Sequence, residues 1–335
     1  MKFSEEQKYV GNLSQLFDVR DSRLIGGRAD GVRATTVKTG GGLEFTVVAD
    51  RCMDIADLSF NGINCSFLNP CGIVAPSYYD DKGTGWLKSF TAGFLTTCGL
   101  SNFGVPSAEN GKLYGMHGAI GNTPAERYSV TVDRGESGPS VRMTGRMCEA
   151  VIFAPKLYLN RTIEAAYQSN KIVLTDEVEN DGYDTEYFML LYHFNIGYPF
   201  LSPDAELHLP TLKVTPRDED AEAGFGVWER IFPPKDHYPE QVFFHKLEGD
   251  HDNIAAVRLL NKKLGIGMTM RLDLSRMNHF IQWKNFESGE YVMGLESANS
   301  LLAGRAVQKK LGDIKTIPPK STVRIRTEIE FEKLI

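Results

Sequence analysis

The sequence predicts an all-β fold, a large and mostly antiparallel β-sandwich with few short helices. Runs rich in β-branched and aromatic residues recur along the chain, and several alternate apolar and polar residues. Helical patterns are few, and none alternates with strands at the spacing of β-α-β units, which argues against a parallel α/β fold. No internal repeat or low-complexity linker divides the chain, so we expect one domain over residues 1–335.

The predicted elements begin with a short helix, because Ser4 and Gln7 have the spacing of a capping box. A β-rich run at 44–48 follows a glycine turn, and residues 84–90 are expected to form another helical turn or two. Residues 171–178 alternate as a half-buried strand and lead to the turn sequence Asn180-Asp181-Gly182. The next run, 186–194, is almost continuously apolar, which is typical of a strand buried on both faces.

Further strands are predicted in the last third of the chain. They cover 241–247, 255–260, 265–272, 280–284, 290–296 and 322–331. The acidic stretch 216–226 is interpreted as a surface loop.

Composition limits the partners and the compartment. Lys and Arg number 37 against 43 Asp and Glu, and they form no basic run, so nucleic acid is not an expected partner. No apolar stretch approaches the ~20 residues of a membrane span. The N-terminal residues lack a signal-peptide core, which predicts a cytoplasmic protein without membrane contact. The five cysteines are odd in number and lack Cys-x-x-Cys spacing, so reduced, mostly buried thiols are expected.

Two side chains on predicted strands are candidates for acid–base chemistry. His193 ends the apolar strand, where it is either a satisfied core histidine or a general acid or base. Glu296 ends another apolar strand, where an unpaired carboxylate would be costly to bury. Gly294, two residues earlier on the same face, leaves space beside that carboxylate. An ordinary strand-end glutamate is the alternative.

Other polar positions have open interpretations. His117 lies between glycines, in a loop that either presents the ring or only needs glycine for its turn. Trp283 could stack on a sugar ring or lie in the core. Arg51 could form a local ion pair with Asp50 or belong to a site. His245 and His279 have no assigned role, and no two histidines have metal-ligand spacing, so no metal site and no cofactor are expected.

The order of these motifs resembles the aldose 1-epimerase (galactose mutarotase-like) superfamily. A loop histidine precedes glycine, a second histidine ends an aromatic strand shortly before Asn195, and a tryptophan strand precedes Leu295-Glu296. Residues 50–55 and 90–102 resemble a less characterised bacterial branch of that superfamily. The resemblance extends from about residue 33 to residue 331, and it implies a β-supersandwich with a sugar pocket.

The resemblance also implies roles for individual residues. His193 matches the general acid of the family, Glu296 its general base, and His117 the histidine that helps hold the sugar. The sugar-holding arginine of the family has no clear match. Asn102 or Thr97 occupies its region, and Arg51 is the expected substitute from another strand. The remaining expected substrate-binding residues are Asn195, Gln282, Trp283 and Lys284.

The expected function is therefore an isomerase that interconverts the α and β anomers of a sugar by His/Glu acid–base catalysis. No cofactor is required for this reaction, and the protein is expected to be a monomer or a homodimer. Two alternatives stay open. One is a different sugar epimerase or isomerase, including a metal-dependent one, and the other is a non-catalytic carbohydrate-binding protein on the same fold.

Overall fold

The computed structural model describes residues 2–334, and β-strands dominate it. The first ten strands are mostly short. They are β1 Asp18–Arg23, β2 Arg33–Lys38, β3 Leu43–Val48, β4 Asp54–Phe60, β5 Ile63–Asn64, β6 Phe67–Leu68, β7 Ala92–Gly93, β8 Leu95–Leu100, β9 Ser107–Glu109 and β10 Lys112–Tyr114.

The strands that follow include the longest in the chain. They are β11 Glu126–Gly135, β12 Gly138–Ala150, β13 Lys156–Ala166, β14 Lys171–Asn180, β15 Glu186–Gly197, β16 Ala205–His208, β17 Thr211–Pro216, β18 Gln241–Leu247, β19 Ile254–Asn261, β20 Ile266–Asp273, β21 His279–Glu287, β22 Glu290–Ala298, β23 Lys315–Ile317 and β24 Ser321–Lys333.

Helices are short, and most connect strands. The α-helices are α1 Phe3–Glu6, α2 Glu219–Ala223 and α3 Arg305–Leu311. The 3₁₀ turns are Gln7–Tyr9, Leu13–Gln15, Gly27–Ala29, Pro76–Tyr78, Gly85–Ser89, Ile120–Asn122 and Phe225–Val227. Among residues 2–334, no helix is long and apolar enough to cross a membrane.

Antiparallel pairing joins most of the strands into two large sheets and one smaller sheet, and two further pairs, β6 with β7 and β9 with β10, form two-stranded sheets. An eight-stranded sheet has the order β11-β12-β13-β14-β24-β20-β19-β16. A seven-stranded sheet has the order β17-β18-β21-β22-β15-β23, and its β15 also pairs with β8. A five-stranded sheet, β1 to β5, precedes them in the chain. The predicted all-β class, with antiparallel sheets and few short helices, is confirmed.

The main core lies between the two large sheets. Alternate residues of β15, including Leu190, Tyr192 and Phe194, join the same apolar cluster as Leu174 of β14 and Met270 of β20. Because side chains alternate between the faces of a strand, the intervening residues of β15 lie on the other face. We call this second face of the seven-stranded sheet the outer face, and the loops around Trp86 and His117 cover part of it.

Most predicted elements agree with the structure in type. The run 186–194 lies within β15, which is buried along most of its length, and the period-two run 322–331 lies within β24. The predicted N-terminal helix is present and begins at Phe3, after an N-cap at Lys2. No side chain caps it, so the prediction of a Ser4–Gln7 capping box is wrong. Within the predicted loop 216–226, Asp218 caps helix α2 by accepting from the Ala221 amide.

All five cysteines are free thiols. Cys52, Cys65 and Cys98 are buried, while Cys71 and Cys148 are partly exposed.

Candidate functional site

A cavity of about 550 Å³ lies over the outer face of the seven-stranded sheet. Strand side chains form its floor, and loop side chains form its walls. Its lining residues are Trp86, Leu87, Phe90, Gly104, Val105, Met116, His117, His193, Arg217, Glu240, Val242, Phe244, Trp283, Glu296, Leu302 and Ala303. This size falls within the range of ~300–1,000 Å³ that is typical of small-molecule sites.

His193 and Glu296 form a pair at the floor of this cavity. They occupy directly opposed positions on β15 and β22, so both side chains leave the sheet on the same face. The His193 Nε2 and Glu296 Oε1 atoms are 3.3 Å apart, and the residues are 6% and 2% exposed. Two groups that can exchange a proton are therefore held side by side in a nearly dry environment. We call His193 and Glu296 the dyad.

Burial favours the uncharged forms of both dyad members. It raises the pKa of Glu296 well above its usual range, with a further contribution from the nearby Glu240 carboxylate. Burial also lowers the pKa of His193 to about 3, and the neighbouring His117 lowers it further. Burial therefore favours a protonated carboxyl beside a neutral imidazole.

Gly294 makes room for the carboxyl group of the dyad. A Cβ atom at this position would lie 2.6 Å from Glu296 Oε1 and 3.0 Å from Trp283 Cβ. Real Cβ atoms do not approach other atoms this closely without a shift. The glycine therefore leaves the space that the Glu296 carboxyl oxygen itself fills, and the open space expected at this position is not found.

Aromatic rings surround His193 on the cavity side. The rings of Phe90 and Trp283 lie edge-on to its imidazole at centroid distances of 5.3 and 5.2 Å. Trp86 stacks on Phe90 at 4.4 Å. Trp283 is partly exposed to the cavity and is not enclosed in the main core. This arrangement offers flat apolar surfaces beside the dyad.

His117 enters the cavity from a loop. Its imidazole lies 4.5 Å from the Trp86 ring and 5.9 Å from that of His193. Burial lowers the pKa of His117 to about 4, so the ring is neutral at pH 7. The next residue, Gly118, has φ +72°, and a Cβ there would lie 2.2 Å from the Gly99 carbonyl oxygen. The glycine is needed because the loop backbone runs against β8.

Asn195 lies behind the dyad and does not line the cavity. It follows His193 by two residues on the same face of β15, and its amide donates to the carbonyls of Ala92 and His193. Within residues 2–334, the His193 Nδ1 and Asn195 Oδ1 atoms are both buried without a hydrogen-bond partner. These two unpartnered atoms belong to side chains on the same face of β15, which suits Asn195 to orienting the imidazole.

The structure corrects the expectation for Arg51. Its guanidinium is buried and donates to three backbone carbonyls, those of Val74, Ser89 and Gly121. Asp50 instead accepts from the Arg33 amide, so no local ion pair forms between the adjacent residues. Arg51 therefore connects loops behind the cavity and does not line it.

Asn102 also supports the loops beside the cavity through hydrogen bonds to the backbone. Its amide nitrogen donates to the Val105 and Gly115 carbonyls, and its oxygen accepts from the Arg305 amide. These bonds fix the loops that carry Val105 and His117 into the cavity. Asn102 thus acts on the site through the loops, without lining the cavity.

Gln282 and Lys284 project from β21 away from the cavity. They alternate with Trp283, so they lie on the opposite face of the strand. Both donate to the Trp228 carbonyl, and burial lowers the pKa of Lys284 to about 8. Their predicted contact with the sugar is corrected, because strand geometry separates them from Trp283.

Two charged residues of the cavity, Arg217 and Glu240, were absent from the sequence prediction, as were the aromatic residues Trp86 and Phe90. Arg217 follows β17, and its guanidinium lies 2.7 Å from Glu240 and 2.5 Å from Asp218. Arg217 and Glu240 both line the cavity at its rim. Each lies in an acidic or proline-containing surface segment of the sequence, where nothing marks a charged residue as functional.

The remaining histidines lie outside this cavity. His245 lies on the inner face of β18, with Nδ1 3.1 Å from the Thr211 hydroxyl, and burial lowers its pKa to about 4. His279 pairs with Asp313 at 2.9 Å. In the described part of the chain, no group of three or more His, Cys, Asp or Glu side chains is arranged to hold a metal ion.

Comparison with known proteins gives one family and several similar structures. A family model described as a domain of unknown function (DUF4432) matches residues 29–331. No curated protein has a significantly similar sequence.

The solved structures cover nearly the whole chain. A Klebsiella pneumoniae protein proposed to be an aldose 1-epimerase is 24% identical, with a TM-score of 0.90 over 96% of this chain and 86% of its own. A galactose mutarotase-like protein from Clostridium acetobutylicum is 11% identical, with a TM-score of 0.66 over 96% and 100%. A galactose 1-epimerase from Lactobacillus acidophilus is 13% identical, with a TM-score of 0.63 over 95% and 100%. The chain thus has the galactose mutarotase-like fold that the sequence resemblance implied.

Proposed function

The chain belongs to the family described as a domain of unknown function (DUF4432), and because that description names no reaction, we propose a function from the chemistry of the cavity. The proposed activity is that of an aldose 1-epimerase, which interconverts the α and β anomers of a sugar. The observation that carries this proposal is the dyad, with His193 Nε2 and Glu296 Oε1 3.3 Å apart at the floor of a cavity.

Mutarotation opens the bond between C1 and the ring oxygen of a cyclic sugar. A base must take the proton of the C1 hydroxyl, and an acid must give a proton to the ring oxygen. Both oxygens are bonded to C1, so they are close neighbours on one edge of the sugar. A pair of groups side by side on adjacent strands suits such a target better than groups on opposite sides of the ring. After rotation about the C1–C2 bond, closure on the other face reverses the two transfers.

The dyad holds one proton for these two transfers. With Glu296 protonated and His193 neutral, the carboxyl is the acid and the imidazole is the base. With the proton moved to His193, the roles are those of the family resemblance, with Glu296 as base and His193 as acid. The two forms differ only in the position of this proton, so the dyad is best treated as one titrating unit.

The rest of the cavity suits a sugar ring. Trp283, Phe90 and Trp86 present aromatic faces on which the C–H faces of a pyranose can pack. His117 presents a neutral imidazole, which can donate one hydrogen bond and accept another. Arg217 and Glu240 at the rim provide a charged donor and acceptor for sugar hydroxyls.

The decisive experiment is NMR exchange spectroscopy between α and β anomers, with a panel of aldoses and ketoses. We expect the wild type to accelerate exchange for at least one sugar. Glu296→Gln should lower this acceleration by about 10²–10⁴-fold, because the amide cannot take or give a proton. Glu126→Gln is the matched control, since Glu126 is exposed on β11, away from the cavity.

Three results would decide between this proposal and its alternatives. If no sugar is accelerated by a folded wild type, the proposal is wrong. Sugar binding without acceleration would favour a carbohydrate-binding protein. A rate that depends on an added divalent ion and disappears with chelator would favour a metal-dependent isomerase.

A further inference from the structure

A second cavity of about 390 Å³ adjoins the first on the outer face of the same sheet. Phe244 lines both cavities and separates them. The lining residues of this second cavity are Lys213, Thr215, Phe244, His245, Lys246, Asn278, His279 and Leu301. Its lining includes two lysines, whereas aromatic residues dominate the lining of the first cavity, and the proposed mutarotation makes no use of it.

Strand register brings the positive side chains of this cavity together. Lys213 of β17 and Lys246 of β18 are directly opposed, so both leave the sheet on the same side. Phe244 opposes Ile281 on the next strand, β21, and continuing this register places His279 beside Lys246. Three side chains that donate hydrogen bonds thus follow one line across three adjacent strands.

The positive charges of Lys213 and Lys246 are not neutralised by any carboxylate among the described residues. Like charges directly opposed across two strands destabilise a sheet. In the part of the chain that the structure describes, neither lysine forms an ion pair with a carboxylate. Other surface cations do, for example Lys38 with Glu44 and Arg258 with Glu332. The nearby carboxylate of Asp313 is 2.9 Å from His279 Nε2. The two ammonium groups therefore keep their charge available for an anion.

Two neutral polar residues also line the second cavity. Thr215 and Asn278 line this cavity together with the two lysines. Ammonium, hydroxyl and amide groups are the partners that phosphate, sulfate and carboxylate oxygens use in proteins. Neighbouring strands lie ~4.8 Å apart, and alternate residues of one strand lie ~6.7 Å apart. By register Lys246 is two strands and two residues away from Glu296, so the backbones of these two residues are ~12 Å apart. This is more than one sugar ring from the dyad.

We propose that this second cavity binds an oxyanion group, with Lys213 and Lys246 as its charged partners. The site is separate from the dyad and does not rest on the proposed mutarotation. The oxyanion is either a free inorganic anion or a phosphate carried by a sugar, and the chemistry of recognition is the same for both.

Isothermal titration calorimetry with inorganic phosphate and with sulfate, at low ionic strength, tests the site. We expect saturable binding to the wild type. The double variant Lys213→Gln, Lys246→Gln should lose about tenfold or more in affinity, because two charge-assisted contacts are removed. Lys333→Gln on β24 is the control for a lysine lost from the other sheet. Both site lysines are exposed, so the double variant is expected to fold, as circular dichroism can verify.

A second arm compares glucose 6-phosphate with glucose. Tighter binding of the phosphosugar than of inorganic phosphate, lost in the double variant, would identify a sugar-borne anion. Equal affinities that fall together would identify a free anion. The proposal is overturned if no probe binds saturably, or if the double variant binds as tightly as Lys333→Gln. Failure of anomer exchange with intact anion binding would reject only the proposed mutarotation.

Discussion

At the scale of single residues, burial sets the protonation of the dyad. His193 and Glu296 are both nearly inaccessible, and water that would stabilise a charge on either is excluded. Their pKa values move in opposite directions mainly because burial disfavours the cation of one and the anion of the other. Such a pair costs stability and is typical of functional sites.

Burying the Glu296 carboxyl costs folding stability. The Glu296→Gln variant should therefore be more stable than wild type, by an amount that depends on pH. The pKa of this carboxyl is higher in the folded chain than in the unfolded chain. The stability it contributes is therefore fully present below the unfolded pKa of ~4.3 and is lost as pH rises toward the folded pKa. We expect the Tm of Glu296→Gln to exceed that of wild type at pH 8, with a smaller difference at pH 4. A difference that grows toward low pH would contradict the raised pKa.

Gly294→Ala should damage the site without unfolding the sheet. The new methyl group would displace the Glu296 carboxyl or Trp283, which lie 2.6 and 3.0 Å from its position. A misplacement of this size can cost about 10²-fold in rate, so we expect a fall in kcat for anomer exchange of that order. Gly267→Ala, on β20 of the other sheet, is the matched strand-glycine control. Equal rates in the two variants would show that the carboxyl position is unimportant.

At the scale of elements, a buried ionic network joins the sheets behind the dyad. Arg161 of β13 donates to both carboxyl oxygens of Asp176 on β14 at 2.9 and 2.7 Å, and also to Asp54 of β4 at 2.8 Å. Tyr192 of β15 donates to Asp176 as well. Because Tyr192 precedes His193, this network fixes the strand that carries the dyad. The network lies on the face of β15 opposite the cavity.

Asp176→Asn should destabilise the protein strongly. The amide cannot balance the charge of Arg161, and breaking a buried pair in this way costs about 3–5 kcal/mol. Urea unfolding would measure the loss. Glu177→Gln, one residue along the same strand and partly exposed, should change stability by less than ~0.5 kcal/mol. A small effect of Asp176→Asn would mean that Asp54 suffices to balance the guanidinium.

Strand geometry also explains which site residues were predictable. His193, Glu296 and Trp283 stand in apolar strands where polar or aromatic side chains are conspicuous, and all three line the cavity. Gln282 and Lys284 stand beside Trp283 in sequence but project to the opposite face, because the side-chain period of a strand is two. The sequence showed the polar character of this strand but not which residues faced the cavity.

At the scale of the whole molecule, the cavity exists only when loops from the first third of the chain cover the seven-stranded sheet. Trp86, Phe90 and His117 come from this region, while Glu296 comes from near the end of the chain. Arg51 and Asn102 hold these loops through hydrogen bonds to backbone carbonyls. Ligand binding and global stability are therefore linked.

A cognate sugar should raise the Tm of the protein. At about 100 times its Kd, a ligand adds ~2.7 kcal/mol of stability. For 335 residues this corresponds to an increase in Tm of about 3–5 °C. Differential scanning fluorimetry would show the increase in wild type and in Trp228→Phe, whose ring lies away from the cavity, but not in Trp283→Leu. An equal increase in all three proteins would exclude Trp283 from the binding surface.

Local sequence patterns predicted the all-β class and most of the strands, and they singled out His193 and Glu296 as candidates. Hydrophobic periodicity is local, so it can be read from neighbouring residues along the chain. Long-range packing set the features that no local pattern contains. It assigned Arg51 and Asn102 to loop support, brought Arg217 and Glu240 to the rim, and aligned Lys213 with Lys246. These outcomes depend on strand register and on loops that meet far from their sequence neighbours, and packing of the whole chain fixes both.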